Sequence, residues 1–236
     1  MKTPLSLDKL SVSYGQLEAV ENLSFEVADN TITSLIGPNG CGKSTAVKAI
    51  AGITAYSGKI SASKKIAYLP QQDSLMPWLS VTGNILLPAK LKDLNLGAAA
   101  KRSEKYLHDF GLARFSDYYP HQLSGGMRQK VALIRTVLYQ PDLVLIDEPF
   151  SALDAITRLH MQDWLLQLKQ REKFACLLVT HDINEAIALS DTIIALSQRP
   201  AKIVEEFKIT RALRSDPHKK FQLENNLKRI LLNEKI

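Results

Sequence analysis

A glycine-rich stretch near the N-terminus constrains this chain more than any other feature of its sequence. Residues 37–44 read GPNGCGKS and fit the pattern G-x-x-x-x-G-K-[ST], which is typical of a phosphate-binding loop. A β-branched run at 31–36 precedes the loop and a helical pattern at 44–51 follows it, as such a loop requires. Glycines let the backbone N–H groups turn inward around phosphate oxygens, and the positive end of the following helix points at them. The chain is therefore expected to bind the phosphates of a nucleotide.

Three side chains of this loop carry specific expectations. Lys43 can reach the β- and γ-phosphates, and Ser44 can ligate Mg²⁺. Cys41 has two interpretations. It is either a small residue tolerated at a variable position or a thiol whose pKa the helix N-terminus lowers, which reagents would modify unless ATP protects it. The loop residues expected to contact the nucleotide are Gly37, Pro38, Asn39, Gly40, Cys41, Gly42, Lys43, Ser44 and Thr45.

Length and composition are those of an ordinary globular protein. Of the 236 residues, 45% are hydrophobic and 23% are charged, which excludes collagen, low-complexity disorder and a disulfide scaffold. No apolar run approaches the ~18–20 residues that a membrane-spanning helix needs, and the first residues lack the apolar core of a signal peptide. With two cysteines, Cys41 and Cys176, we expect a reduced, cytoplasmic protein.

Hydrophobic patterning predicts two sheets and a helical insertion. Apolar residues alternate along 5–27, which predicts antiparallel strands. Helical patterns dominate from about 75 to 140, including one at 80–87 that should end before Pro88. Strands and helices then alternate, which is typical of a parallel sheet with helices on both faces. The predicted fold class is therefore α/β, with a mostly parallel core sheet, an N-terminal antiparallel β-subdomain and an inserted helical subdomain.

Two adjacent carboxylates follow the apolar strand predicted at 143–146. They are Asp147 and Glu148. Ligands of open α/β sheets bind beyond the carboxyl ends of the strands, where the phosphate loop also lies. Asp147 can hold Mg²⁺ through water, and Glu148 can orient and deprotonate an attacking water. Side chains alternate in direction along a strand, so the two carboxylates are expected to have different roles.

A second anion-binding helix terminus is predicted at residues 123–129, which read LSGGMRQ. Ser124, Gly125 and Gly126 open a helix whose N-terminus can bind phosphate. One chain does not need two such loops for one nucleotide, so the second is expected to serve the nucleotide of a partner chain. Together with the phosphate loop and the acidic strand end, this motif resembles the ATP-binding cassette (ABC) transporter ATPases over about residues 5–210.

The resemblance implies four further site residues. Tyr14 matches the aromatic residue that stacks on adenine, although a tyrosine at the end of a strand needs no such role. Gln71 matches the glutamine that senses Mg²⁺ and the attacking water. His181, within VTHD, matches the histidine that contacts the γ-phosphate. Asp154, within SALD, matches the loop that crosses a dimer interface and would couple the two nucleotide sites.

The resemblance also implies an assembly. The chain would be a single nucleotide-binding domain of P-loop NTPase fold spanning residues 1–236, and two copies would enclose two MgATP in a head-to-tail dimer. Lys43 of one chain and residues 124–126 of the other would hold each nucleotide. The dimer would dock on integral membrane permease subunits at the cytoplasmic face of the membrane. It would act indirectly with an extracytoplasmic solute-binding protein.

One segment suggests a subgroup of the family. QQDSLMPWLSV at 71–81 is similar to the nitrate, sulfonate and taurine type of importer ATPase, and SQRPAKIV at 197–204 points the same way. The transported solute would then be a small organic or anionic molecule of that kind or a vitamin precursor. Met76, Pro77 and Trp78 are expected either to contact the membrane subunit or to pack locally within the helical subdomain.

Met127, Gln72 and Gly83 depart from residues common in relatives, which leaves the kind of importer open.

The alternatives to transport are a nucleic-acid ATPase, a GTP-dependent switch and a non-catalytic cassette. A soluble ABC-type ATPase acting on nucleic acid would suit the net charge of +6. Such proteins usually carry paired cassettes or long coiled-coil insertions, so no nucleic acid partner is expected. A GTP-dependent switch would need the motif N-K-x-D, which is absent. A non-catalytic cassette is disfavoured because every expected catalytic position is filled.

The C-terminal tail, at about 211–236, is basic. From Arg199 onward there are 10 Lys and Arg and 5 Asp and Glu, so +5 of the net charge lies there. This charge indicates a solvated helix, a basic partner surface, an anionic membrane surface or nucleic acid binding. An apolar stripe at helical spacing favours packing of the tail against the core over a partner or regulatory site. The stripe consists of Phe221, Leu223, Leu227, Ile230 and Leu231.

Overall fold

The computed structural model describes residues 3–151 and 153–232. The strands in chain order are β1 (Leu5–Tyr14), β2 (Leu17–Val27), β3 (Ile32–Ile36), β4 (Ser57–Ala62), β5 (Ile66–Leu69), β6 (Leu143–Asp147), β7 (Ala175–Thr180), β8 (Thr192–Leu196) and β9 (Ile203–Lys208). The helices are α1 (Lys43–Ile50), α2 (Val81–Leu91), α3 (Leu96–Asp109), α4 (Gly125–Leu138), α5 (Ala155–Glu172), α6 (Ile183–Leu189), α7 (Arg211–Ser215) and α8 (Pro217–Leu232).

A six-stranded sheet with the strand order β5-β6-β7-β3-β8-β9 forms the centre of the fold. The first five strands are parallel, and β9 runs antiparallel to β8. Strands β3, β6 and β7 are buried along their whole length, which explains their continuous apolar sequences. Ile36 pairs with Thr180, and Asp147 pairs with Val179. The loops that follow β3, β6 and β7 therefore meet at one edge of the sheet.

A separate antiparallel sheet precedes the core and has the strand order β2-β1-β4. Its apolar side chains join α1 and one face of the central sheet in a common core that includes Leu5, Val27, Val47 and Leu145. The α/β fold class and the N-terminal antiparallel sheet are thereby confirmed. Strand β4 was not predicted, because its sequence SGKISA is polar and mostly exposed at the sheet edge. It forms by pairing with β1.

Helices α2, α3 and α4 form the helical insertion and contact one another. Their apolar residues, among them Ile85, Tyr106 and Val131, share a core with α5 and the other face of the central sheet. The prediction that a helix ends before Pro88 was wrong, because α2 continues to Leu91. Proline removes one backbone donor, but the helix resumes for a last turn in which the Lys92 N–H donates to the Pro88 carbonyl at 3.1 Å.

Helices α7 and α8 follow β9; they contact each other, and α8 also packs against α6 and β8. Leu223 and Leu227 are buried beside Ile193 and Ala195 of β8, and Ile230 and Leu231 pack partly against the same cluster. The apolar stripe therefore packs against the core as predicted. Phe221 is an exception, since most of its side chain is exposed. Within residues 3–151 and 153–232, no helix combines the length and the apolar character of a membrane span.

Candidate active site

The phosphate loop links β3 to α1, and strand β2 packs closely against it. Gly42 has φ +128°, and a Cβ there would lie 2.3 Å from the Ala19 carbonyl oxygen, so only glycine fits this position. Lys43 is 4% exposed, and its ammonium donates to the carbonyl oxygens of Gly37 at 2.7 Å and Pro38 at 2.9 Å. These bonds hold the loop in a curve around the lysine. Among the described residues, the hydrogen-bond acceptors of Lys43 are both neutral carbonyls, and a buried cation with such acceptors is suited to receive an anion.

An open cavity of about 230 Å³ lies over this loop. Its walls come from the antiparallel sheet, the loop and the acidic strand end. Tyr14 lies at the wall formed by β1, and its hydroxyl is 3.3 Å from the Thr54 hydroxyl. The side chains and loop residues that line the cavity include Tyr14, Gly40, Gly42, Lys43, Ser44, Thr45, Glu148 and Arg199. The structure therefore brings Tyr14 to the same cavity as the phosphate loop.

Asp147 lies at the carboxyl end of β6, directly against the start of α1. The Ser44 hydroxyl donates to Asp147 Oδ1 at 2.9 Å. Burial raises the pKa of the Asp147 carboxyl, and the bond from Ser44 opposes that rise. Burial and the charge of Asp147 raise the pKa of the adjacent Tyr68 hydroxyl to about 12. A hydroxyl and a carboxylate side by side are the oxygen donors that Mg²⁺ prefers, so the residues present fit that ion.

Glu148 has a backbone conformation that few non-glycine residues adopt. Its φ is +45°, and its N–H donates to the Val179 carbonyl oxygen at 3.0 Å. This backbone turn places the Glu148 side chain beside Gln71 and His181. The Gln71 amide donates to Glu148 Oε2 at 3.3 Å, and His181 Nδ1 lies 3.2 Å from the same oxygen. Strained backbone of this kind is found at functional sites. Gln71 and His181, which the sequence placed on separate loops, thus converge on one carboxylate oxygen of Glu148.

The motif LSGGMRQ contains the N-terminus of α4, which lies at a different cavity from Lys43. The Ser124 hydroxyl caps the helix by accepting from the Met127 N–H at 3.3 Å. Gly125 lines a second cavity of about 400 Å³, together with Gln71 and Ser151. Gly125 and Lys43 therefore line different cavities of this chain. The structure does not bring the two predicted phosphate loops together around one cavity.

Asp154 caps α5 and lies at the end of the SALD loop. Its Oδ1 accepts from the Thr157 N–H at 3.0 Å, and this bond lowers the pKa of the Asp154 carboxyl. Ser151 and Leu153 line the same cavity as Gly125. Ala152, the remaining residue of the motif, lies outside the described residues.

The interpretation of Cys41 as a reactive thiol is not supported by the structure. Its side chain is 2% exposed and belongs to the core beneath the antiparallel sheet. A Cβ placed on Gly37 would lie 2.9 Å from the Cys41 sulfur, which shows how closely the two positions pack. Cys41 is therefore a small residue that packs inward, and only its backbone is available to a ligand.

Arg199 was missed as a site residue. It lies between β8 and β9, and its guanidinium donates twice to the Gly40 carbonyl oxygen, at 3.0 Å from Nε and 2.6 Å from Nη2. It adds a second cation to the cavity that contains Lys43. The two bonded residues are 159 positions apart in sequence, and an arginine in a hairpin has no motif of its own. No local signal could have identified it.

Glu185 on α6 is a second residue that the sequence did not single out. It is 5% exposed. Burial, with the charges of Asp182 and Glu148, raises the pKa of its carboxyl to about 8, against the bond to Thr180 and the charge of Arg158. The folded chain therefore holds this proton more tightly than the unfolded chain does. The free energy of unfolding should fall as the pH rises from the ordinary pKa of 4.5 to about 8.

Glu185→Gln should remove this pH dependence, since an amide does not titrate. We expect the free energy of unfolding of the variant, relative to wild type, to rise between pH 5 and pH 8. The slope should approach ~1.4 kcal/mol per pH unit. Urea unfolding at four pH values measures it. Glu206→Gln, at an exposed position of β9, is the control. If wild type and Glu185→Gln have parallel profiles, the carboxyl does not titrate in this range.

The fold and the site together define a P-loop ATPase, and comparison with known proteins identifies its family. The model of the ABC transporter family matches residues 20–151. An uncharacterized ABC transporter ATP-binding protein of Methanocaldococcus jannaschii is 38% identical over 222 residues, which cover 89% of this chain and 83% of that protein. The chain therefore belongs to the ABC transporter family and is an ATP-hydrolysing, ATP-binding subunit.

Other similar proteins have more specific names. The aliphatic sulfonates import ATP-binding protein SsuB of Bacillus cereus is 40% identical over 80% of this chain and 78% of its own length. The formylaminopyrimidine import ATP-binding protein ThiZ of Halalkalibacterium halodurans is 37% identical over 91% of this chain and 88% of its own. A dimeric ATP-binding cassette, solved in a post-hydrolysis state with ADP and Pi, has a TM-score of 0.76 at 27% identity. The match covers 87% of this chain and 99% of that one.

Proposed function

We propose that this chain is the energy-coupling subunit of an importer, in which two copies bind and hydrolyse two MgATP while docked on membrane permease subunits. The observation that carries the proposal is the convergence of Gln71, Glu148 and His181 beside the cavity over Lys43. A site so arranged can transfer a phosphoryl group to water. The importer names of the relatives in Bacillus and Halalkalibacterium support the direction of transport.

Nucleotide binding would use the loop and the wall formed by β1. The adenine ring would stack on Tyr14, and the phosphates would lie along the backbone of residues 37–45. Lys43 would exchange its bonds to the Gly37 and Pro38 carbonyls for phosphate oxygens, and Arg199 would hold the outer turn of the loop. Both cations reduce the repulsion within the triphosphate.

Mg²⁺ would be held by Ser44 and Asp147, with Gln71 nearby through its amide oxygen. When bound, the ion supplies positive charge that stabilises the phosphate oxygens. Ser44 and Asp147 are already hydrogen-bonded to each other, so the two donors are oriented before the ion arrives. No cluster of three or more His, Cys, Asp or Glu suited to a metal occurs among the described residues. The phosphates and water would therefore supply the remaining ligands.

Hydrolysis would be carried out by the residues around Glu148. Its carboxylate would accept a hydrogen bond from the attacking water and take a proton from it as the oxygen attacks the γ-phosphorus. Gln71 and His181 hold that carboxylate from two sides. His181 would also donate to a γ-phosphate oxygen and stabilise the charge that develops there.

A second copy would complete each site. Gly125, in the middle of residues 124–126, lines a different cavity from Lys43, so this segment would contact the nucleotide of a partner. The open α4 N-terminus would then bind the γ-phosphate from the opposite side. ATP would hold the two copies together, and loss of the γ-phosphate would release them. The dimeric cassette with ADP and Pi supports this arrangement.

The membrane subunits would dock on the helical insertion. An apolar groove of about 450 Å³ runs between β5, α2 and α4, and its walls include Tyr68, Met76, Leu91 and Tyr139. Trp78, two residues from Met76, is 71% exposed. An exposed tryptophan beside an apolar groove is typical of an interface centre. We propose that a short cytoplasmic helix of each permease subunit inserts here, which places the chain peripherally at the cytoplasmic face.

Trp78→Ala should weaken binding to the permease by at least ~2 kcal/mol, about 30-fold, because it removes the largest exposed apolar side chain beside the groove. ATP hydrolysis by the isolated chain should not change. Tyr56→Ala, an exposed aromatic outside the helical insertion, is the matched control. Unchanged affinity of Trp78→Ala for the membrane subunits would contradict the docking site.

The partner itself can be identified by trapping. A tagged Glu148→Gln chain, held with MgATP, is expected to extract a stoichiometric protein with several membrane spans from gently solubilised membranes. That protein, or the solute-binding protein that accompanies it, then allows solutes to be tested. Small sulfonates, taurine, nitrate and pyrimidine vitamin precursors would be tried first. A chain that instead brought down nucleic acid and no membrane protein would favour a role outside transport.

A further inference from the structure

Arg158, on the first turns of α5, connects two loops of the site. Its Nη2 donates to the Leu153 carbonyl oxygen at 3.2 Å, within the loop that ends at Asp154. Its Nη1 donates to Asp182 Oδ2 at 3.3 Å, directly after His181. One guanidinium therefore connects Leu153, in the 151–154 loop, to the histidine loop, which is formed by residues 181–182. A lysine has no planar fork and cannot make both bonds in this geometry.

A small cavity of about 40 Å³ lies behind this connection. Arg158, Glu185, Glu148 and His181 are among the residues that line it. Two buried atoms of these lining residues, Arg158 Nε and Glu185 Oε1, have no hydrogen-bond partner within residues 3–151 and 153–232. The cavity is large enough for one water molecule and offers it a donor and an acceptor. Such a water would satisfy both atoms at once.

Asp182 and Thr180 stiffen the histidine loop from the other end. Asp182 Oδ1 accepts from the N–H groups of Asn184 and Glu185 at 2.8 and 3.1 Å. The Asp182 N–H donates to the Thr180 hydroxyl at 3.0 Å. The loop that carries His181 is therefore a rigid turn. A shift of the 151–154 loop would move this turn as a unit through Arg158.

We propose that Arg158 and Glu185 are positioning residues that join the 151–154 loop to His181 through a buried water. Contact of that loop with a second copy would then set the position of His181 against Glu148. The inference rests on the proposed function, because it needs the loop to contact a partner in the ATP-bound dimer. Closure of the dimer would thereby position His181 relative to Glu148.

The test compares Arg158→Gln, Arg158→Lys and Arg171→Gln in the full chain. Arg171 lies at the other end of α5, and its side chain is 36% exposed against 34% for Arg158. Arg158→Gln should lower kcat for ATP by about tenfold, with KM and the affinity for MgATP in titration calorimetry within threefold. The rate should also lose its cooperative dependence on ATP concentration. Arg158→Lys should not restore the rate, and Arg171→Gln should match wild type.

Glu185→Met tests the other half of the connection, since it removes the acceptor and retains the volume. The kcat of Glu185→Met should also fall below that of wild type. The double variant Arg158→Gln/Glu185→Met should be no slower than Arg158→Gln alone. Additive losses would overturn the proposal. So would an Arg158→Gln chain that hydrolyses ATP like Arg171→Gln, or one that loses nucleotide affinity and melting temperature together with kcat. A wild-type chain that does not hydrolyse ATP would instead overturn the proposed function, and this inference with it.

Discussion

Glu148→Gln is expected to lower kcat for ATP hydrolysis by about 10²–10⁴-fold while MgATP binding persists. The amide has the same shape as the carboxylate and still accepts a hydrogen bond from Gln71, but it cannot take a proton from the attacking water. The backbone at φ +45° tolerates glutamine no worse than glutamate. The fold and the nucleotide cavity should therefore be unchanged, and only the chemical step should be lost.

Single-turnover hydrolysis of radiolabelled ATP, with binding measured separately, distinguishes this outcome from loss of affinity. Glu206→Gln makes the same substitution on β9, where the exposed glutamate forms an ion pair with Lys208, and it should hydrolyse ATP at the wild-type rate. A Glu148→Gln rate within threefold of wild type would show that another group takes the proton.

Lys43→Ala should weaken MgATP binding by about 2–5 kcal/mol, a factor of roughly 30 to 5,000. The lysine is buried beneath the phosphate loop and is hydrogen-bonded to two of its carbonyl oxygens. Its loss would remove the charge that we propose binds the β- and γ-phosphates, and the Gly37 and Pro38 carbonyls would lose the donor that Lys43 supplies. The variant loop would therefore lose both the cation and the two hydrogen bonds that hold the loop in its curve.

Isothermal titration calorimetry with MgATP measures this effect directly. Lys48→Ala removes an exposed lysine from the same helix, α1, and should change the affinity by less than threefold. Melting temperatures of both variants establish that they fold. If Lys43→Ala binds MgATP with wild-type affinity, the phosphate loop is not the nucleotide site.

The residues whose roles depend on local backbone could be predicted from the sequence. The loop at 37–44 needs glycine where φ is positive, and Gly40 and Gly42 have φ +73° and +128°. Asp147 and Glu148 follow a buried apolar run, so their place at the edge of the sheet follows from the strand order. Ser124 begins a helix, and its cap is visible as a serine before two glycines. In each case the residue expected to contact a ligand lies within a few positions of the sequence pattern that identifies it.

The residues that were missed depend on contacts between distant parts of the chain. Arg199 acts on Gly40 across the sheet, and strand β4 forms because β1 pairs with it. Glu185 resembles any glutamate in the first turn of a helix, and its burial is visible only in the folded chain. Pro88 was expected to end a helix because proline removes one donor, yet packing of α2 against α4 carries the helix through it.

The most direct test of the account is the mass and nucleotide content of Glu148→Gln in MgATP, measured by light scattering coupled to chromatography. Two chains with two bound ATP are expected. Gly125→Asp in the same background should bind one ATP per chain and remain a monomer, because a Cβ at Gly125 meets nothing closer than 3.9 Å within its own chain but would repel a partner's phosphates. A monomeric Glu148→Gln chain with ATP bound, or a dimeric Gly125→Asp variant, would contradict the shared site.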